Sequence, residues 1–283
     1  MAGFELGSFA KAADRLGRST SAVSAQLKKL EEQAGAELFR KAGRGLALTE
    51  AGETMLAYGK RLLELNDEAV VAVRGVDLEG WVRLGLQEDF GETLLPDVLG
   101  RFARAHPKVK IEARVARNAE LLEAVAARRL DLALAWSDGS RTGHCEVLAS
   151  VPLCWVGTKH SAMLDLEEPV PLIALDNHCL MRTIATSALD DAGVSWRISF
   201  IGSSLASLWA AAAAGLGLTV RTGLWLPPKV TLIERSSKPL PALPSLGLAL
   251  HRAEVRLPPA AEALAAMVAT NVLSAIDAGS GRT

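Results

Sequence analysis

Residues 7–52 read "GSFAKAADRLGRSTSAVSAQLKKLEEQAGAELFRKAGRGLALTEAG". Phe9, Ala12, Ala13 and Leu16 recur at helical spacing, and Gly17 ends that helix. Ser19, Thr20 and Ser21 offer N-caps for a second helix, whose apolar stripe is Val23, Leu27 and Leu30. Two short helices joined by a glycine-containing turn make a helix-turn-helix. "LFRKAGRGLALT" follows as a hairpin, with Phe39 and Leu46 to Leu48 in strands and Gly43 to Gly45 at the turn. A hairpin in that place is a wing. Ala12, Ala13 and Val23 are small or β-branched because the two helices must approach closely.

The charge of this stretch is local. Between Ser8 and Gly45 there are eight basic residues (Lys11, Arg15, Arg18, Lys28, Lys29, Arg40, Lys41, Arg44) and four acidic ones (Asp14, Glu31, Glu32, Glu37). The whole chain of 283 residues carries a net charge of only −1. Affinity for nucleic acid therefore has to come from this patch, through phosphate contacts that release counterions. Reading falls to the second helix, where Thr20, Ser21, Ser24, Gln26 and Lys28 are the polar side chains, with Lys29 beside them. Gln26 could pair bidentately with an adenine. Arg40, Lys41 and Arg44 on the wing are placed for the DNA backbone or the minor groove.

Outward from the wing, residues 50–79 form one long helical pattern. Met55, Tyr58, Leu62, Leu65, Ala69, Ala72 and Val76 alternate steps of three and four. That is a heptad seam, and it predicts a partner helix and hence a dimer. From Gly80 the pattern changes to strands alternating with helices. "WVRLGLQ", "KVKIEARVA", "DLALAW", "VPLIAL", "WRISFIG", "LTVRT" and "LGLALHR" read as strands, and an Ala-rich helix follows Pro258 and Pro259. Such alternation means α/β layers, and about 200 residues allow two subdomains.

With those three parts in hand, the sequence strongly resembles the LysR-type transcriptional regulators. The stretch quoted above matches that family's DNA-binding signature almost end to end. "VRLGL…LLPDVLGRFARAHPKVKIE", "DLALAW" and "AAAAGLGLTV" look like its effector domain. The segment "CLMRTIATSALDDAGVSWRISF" is similar to the motility and flagellar regulators within the family. The resemblance implies α/β architecture with an N-terminal all-α winged helix-turn-helix, a dimerising linker helix, and two Rossmann-like subdomains of the periplasmic-binding-protein type II. The expected boundaries are 1–49, 50–79 and 80–283, with subdomain I at 80–154 plus 251–278 and subdomain II at 155–250. Family members usually carry about a dozen residues of helix before "GSF", whereas here "MAGFEL" precedes it. A start assigned too late or a natural shortening would explain this. It motivates an alternative reading: a ligand-binding dimer with impaired DNA binding that acts by assembly with other regulators.

Ligands of two-subdomain folds bind in the cleft outside the carboxyl ends of the strands. In this chain those ends place Gln87, Glu88, Asp89, Arg117, Asn118, Trp136 and Ser137 on one side. Leu180, Met181, Ser203, Ser204 and Arg221 face them. The resemblance puts its inducer pocket at the same places. Glu88 and Asp89 would repel an anion, so a neutral or cationic inducer fits, or one whose acid faces Arg117 or Arg221. Arg117 and Arg221 could equally pair with nearby carboxylates. Trp136, Trp155 and Trp209 read as core, and Cys179 sits at a helix start as a buried thiol.

Little points to catalysis or cofactors. The five histidines are dispersed, and no H-E-x-x-H, G-x-S-x-G or P-loop occurs. "GLGLTV" lacks the third glycine of a dinucleotide fingerprint. Cys145, Cys154 and Cys179 have no metal-ligand spacing and suggest a reducing compartment. No signal peptide opens the sequence, and the apolar stretch from Leu205 to Leu218 is shorter than a membrane span. The expectation is a cytoplasmic regulator without metal or cofactor. Its partners are double-stranded operator DNA, a small-molecule inducer, a second copy assembling to a dimer and then a tetramer, and RNA polymerase.

Overall fold

Serine caps set where the first full helices begin. In the computed structural model, described for all residues except 1, 6–7, 43–44, 74–77, 92–93, 138–143, 162–166, 177–178, 234–238 and 281–283, a short α1 (Ala2–Glu5) lies within "MAGFEL". Ser8 caps α2 (Phe9–Arg15), and Ser19 caps α3 (Thr20–Ala34) by accepting from the Ala22 amide at 3.2 Å. The helices meet over Ala12 and Ala13, both buried. Strands β1 (Phe39–Ala42) and β2 (Gly45–Leu48) form the antiparallel wing, with Phe39 opposite Leu48. Phe9 packs edge-on against Phe39 with ring centroids 5.2 Å apart, so the first helix of the pair also seats the wing.

The wing is then joined tightly to α4 (Glu50–Val73). Glu31 accepts from the Leu38 amide at 2.8 Å. The Thr49 hydroxyl donates to the Glu37 carbonyl at 2.6 Å and accepts from the Gly52 amide at 3.0 Å, which makes it the effective cap of α4. A Cβ on Gly52 would stand 2.0 Å from the Leu38 carbonyl oxygen, so only glycine lets α4 start against the wing.

The chain divides into compact units with the change near Val76 and Asp77. The second unit begins with β3 (Gly80–Gln87), α5 (Glu88–Gly91), α6 (Leu95–Ala105), β4 (Val109–Ala116), α7 (Asn118–Ala126) and β5 (Leu132–Ser137). It continues through β6 (Cys145–Gly157), β7 (Val170–Leu175), α8 (Leu180–Asp191), β8 (Trp196–Gly202), α9 (Leu205–Ala213) and β9 (Thr219–Thr222). It closes with β10 (Thr231–Leu232), β11 (Ser245–Arg252) and α10 (Pro259–Ser280). β4, β3 and β5 run parallel, and β11 then pairs antiparallel with β5 and with the first half of β6.

The long β6 belongs to both subdomains. Its residues up to Pro152 pair with β11, whereas Leu153 to Val156 pair with β9, and its last two residues pair with β10. β7 and β8 are parallel, and a bridge from Leu172 to Leu218 places β7 beside β9. All of β11 pairs within the first subdomain. The chain therefore returns before Ser245, not at Leu250–His251 as the apolar pattern of "LGLALHR" suggested. The outward crossing falls at Pro152–Leu153, where the Leu153 amide donates to the Pro244 carbonyl at 3.1 Å. The two connections thus lie side by side.

Two apolar features have structural explanations. In "GLGLTV", Gly217 (φ +156°) packs so closely that a Cβ would meet the Pro171 carbonyl oxygen at 2.3 Å. This motif serves strand packing, not phosphate binding. α10 is long and apolar enough by composition to cross a membrane. Its residues Leu264, Val268 and Val272 are fully buried in the core of this unit.

Candidate nucleic-acid interface and ligand cleft

α3 contains no buried residue. Ala22, Val23, Leu27 and Glu31 are half-buried, while Thr20, Ser21, Ser24, Gln26, Lys28 and Lys29 are exposed. At about 100° of turn per residue, Thr20, Ser24, Lys28 and Ser21 share one arc, and Lys29 lies roughly 80° beyond it. Gln26 stands roughly 160° from Lys28 around the helix. Gln26, also exposed, lies off the arc that holds Thr20, Ser21, Ser24 and Lys28 and about 60° beyond Lys29.

On the wing, Arg40 is exposed and its Nε donates to the Leu48 carbonyl at 3.3 Å, which aligns it with the hairpin. Lys41 lies in β1 with its side chain outside the described set, and Arg44 is outside the described residues. Along α4, Tyr58, Leu62 and Leu65 are exposed by 57%, 66% and 61%, which makes a continuous apolar stripe on an otherwise charged helix. Met55 is half-buried and joins Ala34, Leu38, Ala51 and Tyr58 around an open groove. The side chains of Ala69 and Ala72, and the whole of Val76, lie outside the described residues.

In the second unit the strand ends converge as the topology requires, but several expected pocket residues are already engaged. Asn118, in the first turn of α7, gives its Nδ2 to the Trp136 carbonyl at 2.9 Å and accepts from the Trp136 amide at 2.7 Å. It fastens α7 to the end of β5. Trp136 is fully buried, its ring 5.1 Å from Phe90, so it is core. Gln87 is buried and accepts from the Asp89 amide at 2.8 Å, shaping the turn into α5. Ser137 is half-buried opposite Gly247. Met181 is buried and Leu180 half-buried against the second subdomain's own core. Ser204 caps α9 in a reciprocal exchange with Ser207.

What crosses the cleft is a set of ions. Arg117 pairs with Asp176 at the end of β7 and donates through Nη2 to the Ser203 carbonyl at 3.4 Å. Arg221 on β9 lies with its Nε 3.7 Å from Asp89 Oδ1, and its Nη1 is 3.9 Å from Cys179 Sγ. The Asp89 and Arg221 side chains are only 10% and 2% exposed. Burial opposes the charge on Arg221, but Asp89, Cys179 and Glu88 together outweigh it and hold the guanidinium above its ordinary value. Burial pushes the Glu88 carboxyl up, against the pull of Arg117 and Arg221. The Phe90 ring also meets Trp225, edge-on at 5.5 Å. Trp225 adopts a left-handed φ of 54°, a strained conformation for a bulky residue. Asp176 and Trp225 were missed from sequence. Asp176 ends a strand and follows the same rule that found Glu88, whereas Trp225 sits in a loop that carries no periodic signal.

Comparisons with known proteins agree with this architecture. A family model described as "LysR substrate binding domain" matches residues 76–272. One described as "Bacterial regulatory helix-turn-helix protein, lysR family" matches residues 2–53. The chain is 34% identical over 240 residues to the HTH-type transcriptional regulator PecT of Dickeya dadantii, covering 85% of this chain and 75% of that protein. It is 33% identical over 248 residues to the HTH-type transcriptional regulator DgdR of Burkholderia cepacia, covering 87% and 83%. Among solved structures, HinK, a LysR family transcriptional regulator from Pseudomonas aeruginosa, matches with a TM-score of 0.53 at 21% identity, over 94% of this chain and 93% of that one. Full-length BenM matches with a TM-score of 0.51 at 20% identity, over 95% and 93%. At such identities the structures speak for the fold alone. The narrower likeness to motility and flagellar regulators is not confirmed by these relatives.

Proposed function

The chain belongs to the LysR-type family of DNA-binding transcriptional regulators with a substrate-binding domain, and from that premise we propose how its own residues divide the work. The face of α3 formed by Thr20, Ser21, Ser24 and Lys28 enters the major groove, with Lys29 and Arg40 contacting phosphates. The observation that carries this reading is the exposure of Thr20, Ser21, Ser24 and Lys28 on a helix fixed at its start by the Ser19 cap and tied to the wing through Glu31. The apolar stripe of α4 pairs with the same helix of a second copy, so that two reading helices address half-sites about one or more turns of DNA apart. Further pairing through the second unit gives a tetramer.

The cleft crossed by Arg117–Asp176 and Arg221–Asp89 takes a small molecule. A ligand that binds its open and closed arrangements with different affinity changes the packing of the copies and thereby the bend or spacing of bound DNA. RNA polymerase is the partner on which such a change acts, and the cytoplasm is the compartment in which it does so. The family is one of regulators, not enzymes, and we assign the cleft to sensing without turnover. The helix-turn-helix match over residues 2–53 does not favour the alternative of a chain that only assembles with other regulators.

A gel-shift titration with DNA from upstream of the gene tests the reading of α3. Lys29→Ala should weaken operator and random DNA alike and reduce the salt slope by about 0.9. Ser21→Ala and Ser24→Ala should weaken the operator selectively, and Gln26→Ala should leave both unchanged. Loss of operator binding in Gln26→Ala with Ser21→Ala and Ser24→Ala silent would place the DNA on the other side of the helix.

A further inference from the structure

The pair Asp89 and Arg221 is buried without being satisfied. Their 3.7 Å separation is too long for a hydrogen bond. Asp89 Oδ2 and Arg221 Nε are both buried without a hydrogen-bond partner among the described residues. A buried ion pair in contact only through space is a costly arrangement: Arg221 keeps one long contact from Nη1 to Cys179 Sγ, and Nε and Asp89 Oδ2 have lost water without gaining a hydrogen bond among the described residues. The two residues also belong to different subdomains, Asp89 to α5 after β3 and Arg221 to β9, and so stand on opposite walls of the cleft.

From this geometry, and resting on the reading that the cleft is the ligand site, we infer that the cleft takes a free amino acid in its zwitterionic form, its carboxylate on Arg221 and its ammonium group on Asp89. The argument is one of exchange. A simple acid that took Arg221 would leave Asp89 buried and unpaired, and a simple amine that took Asp89 would strand Arg221. A molecule with both charges replaces one imperfect pair by two hydrogen-bonded ones. It also satisfies Oδ2 and Nε, which have no hydrogen-bond partner among the described residues.

The remaining charges rule against a dianion. Arg117 is taken by Asp176, and Arg221 by Asp89. Glu88, half-buried beside them, adds negative potential and no cation. Phe90, which continues directly from Asp89, is itself fully buried, and the half-buried Trp225 ring that meets it edge-on gives the adjoining wall its apolar surface. An apolar side chain on the amino acid matches that wall. Insertion requires the walls to separate, and the side-by-side crossings at Pro152–Leu153 and Pro244–Ser245 are where β6 and β11 pass between them.

Isothermal titration of the full chain with L-leucine, L-phenylalanine and L-methionine, each beside its decarboxylated amine and its 2-oxo acid, and with succinate, tests the inference. At least one amino acid should bind, and its amine, its oxo acid and succinate should not. Asp89→Asn and Arg221→Lys should each weaken that binding about a hundredfold. Asp89→Asn keeps the shape of the side chain, so its effect is read even if the buried Arg221 variant folds poorly. Binding of an amine, oxo acid or succinate that is lost in Asp89→Asn would overturn the zwitterion while keeping the cleft. Binding of an amino acid with unchanged affinity in Asp89→Asn would remove the site from the cleft altogether. Binding of nothing in the panel would overturn the amino-acid assignment and leave the DNA-reading role standing.

Discussion

Asn118 and Trp136 hold each other by a two-way exchange, the carboxamide of one closing on both backbone groups of the other at 2.9 and 2.7 Å. A polar side chain at the mouth of a cleft is here spent on architecture. Asn118→Ala would leave the Trp136 amide buried and unpaired, at a cost of about 1–3 kcal/mol. Urea unfolding followed by tryptophan fluorescence should show that loss, and an unchanged midpoint would argue that the exchange contributes nothing.

Gly52 offers a sharper case. A methyl group there collides with the Leu38 carbonyl, so Gly52→Ala must push α4 away from the wing. We expect a loss of about 3 kcal/mol or more. Because Gly52 and Leu38 lie in the first unit, DNA affinity should fall while ligand titrations remain as in the parent. Equal loss of both would show that the two units do not fail separately.

Leu62 and Leu65 are exposed by 66% and 61% on the solvent side of α4. Leu62→Glu should place a charge in any helix pair formed there. In sedimentation experiments the parent should run as a dimer or larger and Leu62→Glu as a monomer. Binding to a paired half-site should drop by roughly a hundredfold or more, as the second contact ceases to be intramolecular. A variant that stays oligomeric would move the interface elsewhere.

His106 gives a pH dependence. It is buried against Phe102, ring centroids 4.8 Å apart, and burial lowers its pKa below the ordinary 6.5. The unfolded chain takes up the proton first as pH falls, so stability is lost on the acid side of 6.5 and regained above it. Thermal melts between pH 7.5 and 5.5, on either side of that value, should show a smaller fall for His106→Phe than for the parent. An equal fall in both would exclude this residue as the source.

Local signals were legible in the sequence, and non-local ones were not. Ser19, Val23 and Leu27 announced α3 because capping and helical spacing act within one or two turns. Phe39 and Leu48 announced the wing because a hairpin pairs neighbours. Strand ends could be found from the alternation of strands and helices, and Glu88, Asp89, Arg117 and Arg221 do come together in the cleft. What a strand end does is decided by residues far along the chain. Asn118 finds Trp136, Arg117 finds Asp176, and Met181 turns into the core, none of which periodicity can tell. Likewise "LGLALHR" has the apolar pattern of any interior strand, and only its pairing with β5 shows which subdomain it serves. Gln26 shows a further limit: that a polar residue lies near the start of α3 is plain in the sequence, but its angle around the axis relative to Thr20, Ser24 and Lys28 has to be worked out separately.

β6 runs unbroken from one subdomain into the other and has a single companion, β11, at the point of passage, where Pro152 sits opposite Ser245. Two adjacent threads behave like a torsion rod: they resist stretching and sliding and yield to twist. Relative movement of the halves is therefore reduced to rotation about one line, with an amplitude that grows with distance from it. On the function proposed above, a ligand in the cleft would act as a turn of fixed direction about that line, a movement that a second copy packed on either half would feel without touching the ligand.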